Sequence, residues 1–222
     1  MNAEQPLNQR EKQRLKTRGQ ILEAALQIFA EKGFDATSVR EISGSVGVNH
    51  GLIRHHFKNK EELWKEAVRF LFERMEAELA IEPGSEDHLT EFERLQNTIR
   101  RYVRYCARHP EHARIMVQQS IHGTDRFKWM VRKFIAPQHR SFRPSRGKHI
   151  AEGLWPQIDE VSLAYIFVAV AQMPFVLSNE IDEIYGIDPT GPDWVEQHAD
   201  AIIELFFRHR VDEADQPERG RE

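Results

Sequence analysis

The stretch Gly33–Leu63, GFDATSVREISGSVGVNHGLIRHHFKNKEEL, decides the fold. It packs a short helix, a glycine-containing turn, a second short helix and the start of a third into about thirty residues, the layout of a helix-turn-helix. Ser38 and Glu41 have capping-box spacing, which starts one helix with Val39, Ile42 and Val46 on its buried side. Gly44 inside that helix costs roughly 1 kcal/mol relative to alanine, so close packing is expected around it. Gly47 makes the turn and Val48 plugs the core beside it. Asn49 is a good N-cap for a helix running to His56, with Ile53 and Phe57 facing inward. Asn59 with Glu62 then starts a long helix through Leu63, Trp64, Ala67, Leu71 and Met75 to about Ala80.

The pattern extends outward in both directions. Ile21, Leu22, Ala25, Leu26, Ile28 and Phe29 form one stripe of a helix over roughly Leu15–Lys32, stopped by Gly33. Residues 1–13 are polar and read as a disordered arm. After the loop Pro83-Gly84-Ser85, helices are expected at about Thr90–Arg108, Pro110–His122, Asp125–His139 (interrupted by Pro137), Asp159–Ile184 and Asp193–His209. Residues 211–222 read as a disordered tail. The fold class is therefore all-α: a three-helix DNA-binding domain over 14–60, and a larger helical effector and dimerisation domain over 61–210 that is linked through the fourth helix.

Net charge is −4, which by itself argues against nucleic acid. The distribution reverses that argument. Between Asn8 and Lys60 there are 10 Lys/Arg against 5 Asp/Glu, while the remainder carries 21 against 30, a basic module on an acidic body. The single cysteine, Cys106, allows no intramolecular disulfide and fits a reducing, cytoplasmic setting. The longest apolar run, Leu163–Leu177, is interrupted by Gln172 and Pro174 and is too short for a bilayer, so no membrane partner is expected. There is no glycine-rich phosphate loop and no serine nucleophile turn, and the chain is not expected to be an enzyme.

A DNA-reading helix must be short, capped and exposed, with an apolar inner face and with basic groups and helix N-termini nearby for phosphates. The segment 14–68 meets these requirements and resembles the N-terminal domain of the TetR/AcrR family of bacterial transcription regulators. The resemblance rests on ILEAALQIFAEKGFDATSV, VREIS, the turn VGV, NHGLIRHHF and KNKEEL. It implies that Arg40 contacts a base edge or a phosphate, and that Asn49, His50, Gly51 and Leu52 lie nearest the bases. Arg54, His55 and His56 would follow at the groove wall, Lys60 would hold a phosphate, and Thr17 would add a phosphate contact from the first helix. Arg54 and His56 stand where the family often has tyrosine, and Ser43 where alanine is common. The implied function is a regulator, a repressor in most of the family, released from a palindromic double-stranded DNA operator by a small-molecule effector. An architectural module with no ligand is the alternative.

The rest of the chain matches that family only in size and helical character. Its last helices carry too many apolar residues for one surface stripe, so Val161, Ile166, Phe167, Val170, Phe175, Trp194, Ile202 and Phe206 are expected at a homodimer interface. Tyr102, Tyr105, Met116, Gln119, His122, Trp129 and Phe134 are the residues whose types would suit an effector pocket. No cofactor is expected. His109 and His112 are three apart, with His122 a turn or more further on, but zinc needs a third and fourth ligand in place, so no metal is expected either.

Overall fold

Helix α1 (Gln9–Ala36) starts at Asn8, whose side chain accepts from the Glu11 backbone while Glu11 reaches back to the Asn8 backbone. That reciprocal cap corrects the expectation of a disordered arm over 1–13, because it satisfies two backbone donors that would otherwise fray the start. The computed structural model describes residues 8–151 and 153–214; for 142–146, 151 and 208–214 it describes the backbone alone. Residues 1–7 of the expected arm and 215–222 of the expected tail lie outside the described residues.

The helices after α1 are α2 (Val39–Ser45), α3 (His50–His56), α4 (Lys60–Leu79), α5 (Glu91–Arg108), α6 (Pro110–His122) and α7 (Asp125–Met130). A π-helical turn, Val131–Ile135, joins α7 to α8 (Ala136–Ala151), and α9 (Glu160–Val176), α10 (Ser178–Tyr185) and α11 (Pro192–Ala214) complete the described chain. No strand occurs among the described residues. Because α11 reaches Ala214, residues 211–214 are helical rather than part of a disordered tail.

Gly33 has φ +76°, a left-handed conformation that costs a glycine little, and the chain kinks there inside α1. Thr37 closes the kink by donating its hydroxyl to the Gly33 carbonyl at 2.7 Å. Gly47, at φ +67°, makes the turn between α2 and α3. Gly44 is exposed, and a Cβ there would meet nothing within 4 Å, which corrects the expectation of close packing.

Two prolines change the expected helix boundaries. Pro137 was expected to interrupt its helix, yet α8 runs through it. The preceding π turn, in which the Ala136 N–H reaches back five residues to the Val131 carbonyl, widens the backbone where a proline ring would otherwise clash. The single helix expected over Asp159–Ile184 is broken at Leu177 into α9 and α10, which meet at a 65° bend. Pro174 has no N–H to give the Val170 carbonyl one turn back, and His198 of α11 supplies the missing donor, Nε2 to oxygen at 2.8 Å. No single helix among the described residues is long and apolar enough to cross a membrane.

The core is continuous. Ile21, Leu22, Leu26 and Phe29 of α1 meet Ile42, Ile53, Phe57, Leu63 and Trp64, which seats α2 and α3 on α1 and α4. Farther along, α5 packs on α4, α9 and α11, and α6 packs on α1 and α9. Where α1, α4, α5 and α6 converge, Arg74 binds both oxygens of Glu23, at 2.8 and 2.9 Å, and also pairs with the fully buried Glu111. Glu111 in turn faces His109 Nδ1 at 3.3 Å, and His109 Nε2 lies 2.8 Å from Glu78.

Beside this cluster the Tyr105 hydroxyl lies 2.8 Å from His112 Nδ1. Burial pushes the His112 imidazole down to about 3, so it stays neutral and accepts the tyrosine proton. An unfolded chain would protonate this histidine below pH 6.5 while the folded one would not, so stability is full above that pH and falls as acid is added. Urea unfolding should therefore show a loss of about 2 kcal/mol between pH 7 and pH 5, reduced in His112→Gln. An identical slope in the variant would contradict this role.

Candidate nucleic-acid interface

The reading helix is held by its caps. The Asn49 side chain accepts from the Gly51 N–H at 2.7 Å, and the Phe57 N–H closes the other end on the Ile53 carbonyl, also at 2.7 Å. Ile53 is 1% exposed and Phe57 is buried, so the apolar side of α3 is fixed on the core. The opposite side is open: Leu52 is 37% exposed, and Gly51, Arg54 and His55 are exposed with it. Four of the expected reading residues thus share one accessible surface.

The remaining expected residues are placed differently. Asn49 spends its carbonyl oxygen on the cap, which leaves its amide N–H groups for any base. Gly51 serves that cap as well, because a Cβ there would come within 3.2 Å of Asn49 Oδ1. His50 is half-buried, and its Nδ1 is enclosed with no hydrogen-bond partner among the described residues. Burial first, and then the charges of His55, Arg14 and Arg18, hold the His56 imidazole below its ordinary range. A neutral His56 offers a phosphate one N–H rather than a full charge. Arg40 is exposed near the start of α2, and Thr17 is half-buried on α1.

Lys60 is the clearest departure. Its ammonium donates to the Asp35 carbonyl at 3.1 Å and sits 4.5 Å from the centre of the Phe34 ring. It is engaged with the last turn of α1, so a phosphate would have to share it. Two cations of the first helix lie close. Arg14 and Arg18 belong to α1 and act on His56, and Arg18 also rests over the Phe57 ring while pairing with Glu66. The Asn8-x-x-Glu11 capping box was the signal that α1 begins at Gln9, so that Arg14 and Arg18 stand on a helix with fixed direction.

The residues expected to line an effector pocket do not converge. Tyr102 accepts from Gln172 at 2.6 Å and stacks on Phe167, facing α9. Tyr105 faces the charged cluster, and Gln119 is buried with its side-chain oxygen unpartnered. Phe134 stacks on Phe72 at 4.6 Å beside Trp129, Met116 is half-buried against the core, and His122 is exposed at the end of α6. The ring contacts Tyr102–Phe167, Phe72–Phe134 and Trp129–Phe134 thus commit these side chains to separate neighbours. Of the expected dimer residues, Val161 is 63% exposed, and Ile166 is exposed as well. Phe175, Ile202 and Phe206 are corrected: α9 and α11 turn them into the chain's own core, where Phe175 meets Trp194 and Phe206 meets Trp155. Phe167, Val170 and Trp194 are half-buried against that core. Among the described residues no group of three His, Cys, Asp or Glu side chains could hold a metal ion.

Comparison with known proteins agrees with this geometry. A family profile described as bacterial regulatory proteins, tetR family, matches residues 21–67, which run from α1 through α2 and α3 into α4. A curated relative, the HTH-type transcriptional repressor KstR2 of Mycobacterium tuberculosis, is 46% identical over 52 residues, 23% of this chain and 26% of that protein. The matched segment thus spans about a quarter of the length of this relative. Among solved structures, AibR in complex with isovaleryl coenzyme A and operator DNA aligns with a TM-score of 0.64 at 20% identity, covering 86% of this chain and 98% of that one. The structure of the ketosteroid regulator KstR2 of M. tuberculosis gives 0.60 at 22% identity, covering 86% and 94%. These likenesses extend the fold over the whole helical body.

A helix-turn-helix at the head of a larger all-helical body defines the class. Over residues 21–67 the chain is similar to the tetR family of bacterial regulatory proteins, and beyond that segment the likeness is one of fold.

The Asn49 cap can be tested directly. Asn49→Ala should lower stability by about 1 kcal/mol in chemical denaturation, and Asn49→Asp should restore most of it. An alanine variant as stable as the parent would show that the cap does not hold α3.

Proposed function

We propose that this chain is a sequence-specific DNA-binding transcriptional regulator, a repressor that leaves a palindromic operator when a small ligand binds. The observation that carries the reading is α3 itself: seven residues, capped by Asn49, anchored by Ile53 and Phe57, with Leu52, Arg54 and His55 turned outward. Arg40, Arg14 and Arg18 place positive charge beside it for the sugar-phosphate backbone, the sequence-independent part of such an interface. The DNA-reading unit in this proposal covers 14–60, and 61–210 form the body that senses ligand and pairs with a second copy.

The sign and the partners follow from relatives. KstR2 is named a repressor, and the structure of AibR holds both an acyl coenzyme A and operator DNA. A palindrome needs two reading helices, and hence two copies. The outer sides of α9 and α11 offer a surface for the second copy: Val161, Tyr165, Ile166 and Leu205 are all exposed apolar or aromatic side chains. The chain has no enzymatic role in this proposal. The curated relatives are transcriptional regulators, and the buried His, Glu and Tyr groups bind one another.

Selection of genomic fragments with purified protein at moderate salt, followed by sequencing, tests the reading. The expected result is one palindromic motif whose preferred bases change when Leu52 is replaced by alanine. Recovery of fragments with no shared motif would contradict it and favour a nonspecific architectural role.

A further inference from the structure

The start of α4 touches α7 through Glu61 and Arg126 and through Trp64 and Trp129, but leaves open space beside these contacts. Two open cavities of about 480 and 400 Å³ flank Trp129 here and share Asp125; the first is bounded by α7 and the π turn alone, and the second reaches the start of α4. The first is lined also by Arg132 and Lys133, the second by Glu61, Lys65 and Arg126. The two cavities form one seam that meets α4 only at its Glu61–Lys65 end.

Its charges are unevenly matched. The carboxylates are already engaged: Asp125 pairs with Lys128 at 3.2 Å, and Glu61 lies 3.5 Å from Arg126 and 3.7 Å from Lys65. Arg132 and Lys133 have no carboxylate within ion-pair distance among the described residues, and both are exposed. Lys133 leans over the Trp129 ring at 5.9 Å, and that half-buried indole gives the seam an aromatic wall. Arg126 is held at the junction, 3.7 Å from the centre of the Phe34 ring and 3.9 Å from Asp35, with its Nε enclosed and unpartnered.

We propose that this seam binds a small aromatic anion, a flat ring carrying a carboxylate or a phosphate. The ring lies against Trp129, and the anionic group takes Arg132 and Lys133, whose donors suit either oxyanion. Arg126 is the means by which such a ligand is felt by the reading domain. An anion in the seam competes with Glu61, Asp35 and the Phe34 ring for that guanidinium and loosens the contact between α7 and the end of α1. The effect on DNA rests on the operator-binding reading above; the binding itself does not.

The test uses the full chain, with adenosine monophosphate and 2-naphthoate as probes for phosphate and carboxylate, followed by calorimetry and tryptophan fluorescence. The expected result is saturable binding of at least one probe, weakened by about tenfold or more in the double variant Arg132→Glu, Lys133→Glu. Binding of only one probe identifies which oxyanion the seam prefers. The same probe should lower operator affinity in the parent and leave it unchanged in the double variant. Absence of binding by both probes up to about 10 mM, or binding indifferent to the double variant, overturns the proposal. Because the variant residues lie outside α1–α3, probe binding without any operator binding would keep the seam site and remove only the regulatory reading.

Discussion

The guanidinium of Arg74 is the interaction on which the architecture depends. It lies where α1, α4 and α6 meet, clasping Glu23 from one side and the fully buried Glu111 from the other. A buried charge has to be paired, and removing one partner of such a pair typically costs 3–5 kcal/mol. The carboxylate of Glu111 remains ionised because its partners His109 and Arg74, together with a backbone N–H, oppose the penalty of its burial. One side chain thus fixes the angle between the helix that carries the reading domain and the helix that opens the body. A shift of α6 would strain the pair at α1, which is a physical route by which events in the body reach the α1–α3 end.

A second constraint shapes the far end of the body. Pro174 frees a carbonyl inside the most apolar helix, and His198 answers it from α11. That bond pins α9 to α11 and turns Phe175, Ile202 and Phe206 inward. The outer side keeps Val161, Tyr165 and Ile166 exposed, so one helix serves as core on one side and presents an apolar surface on the other. Burial of His198 holds its imidazole below the ordinary range, in keeping with a neutral ring that donates one N–H.

The sequence was most legible where backbone chemistry is local. Ser38, Asn49 and Asn59 each cap the helix assigned to them, and Gly47 makes the turn, because a cap or a left-handed turn is determined by a few neighbouring residues. Legibility failed where distant partners decide. The capping box at Asn8 was present in the sequence but passed over in a polar run. Pro137 was taken as an ordinary breaker, and the helix through Pro174 was expected to run unbroken to Ile184, since the π turn before Pro137 and the break at Leu177 are settled by packing rather than by the local sequence. Helical periodicity marked Phe175 and Phe206 as apolar but carried no information on whether their partners belong to the same chain. Lys60 showed the same limit: its position at the start of α4 was right, while its engagement with Phe34 and Asp35 depends on the kink at Gly33.

The central claim is that α3 reads a defined site and that two copies do so together. Hydroxyl-radical footprinting of the full chain on a selected genomic fragment tests it most directly. The account predicts two protected tracts related by a dyad, with centres about one helical turn, or ~34 Å, apart or at a multiple of that spacing. Even protection along the fragment, or a single tract without a symmetry mate, would contradict it.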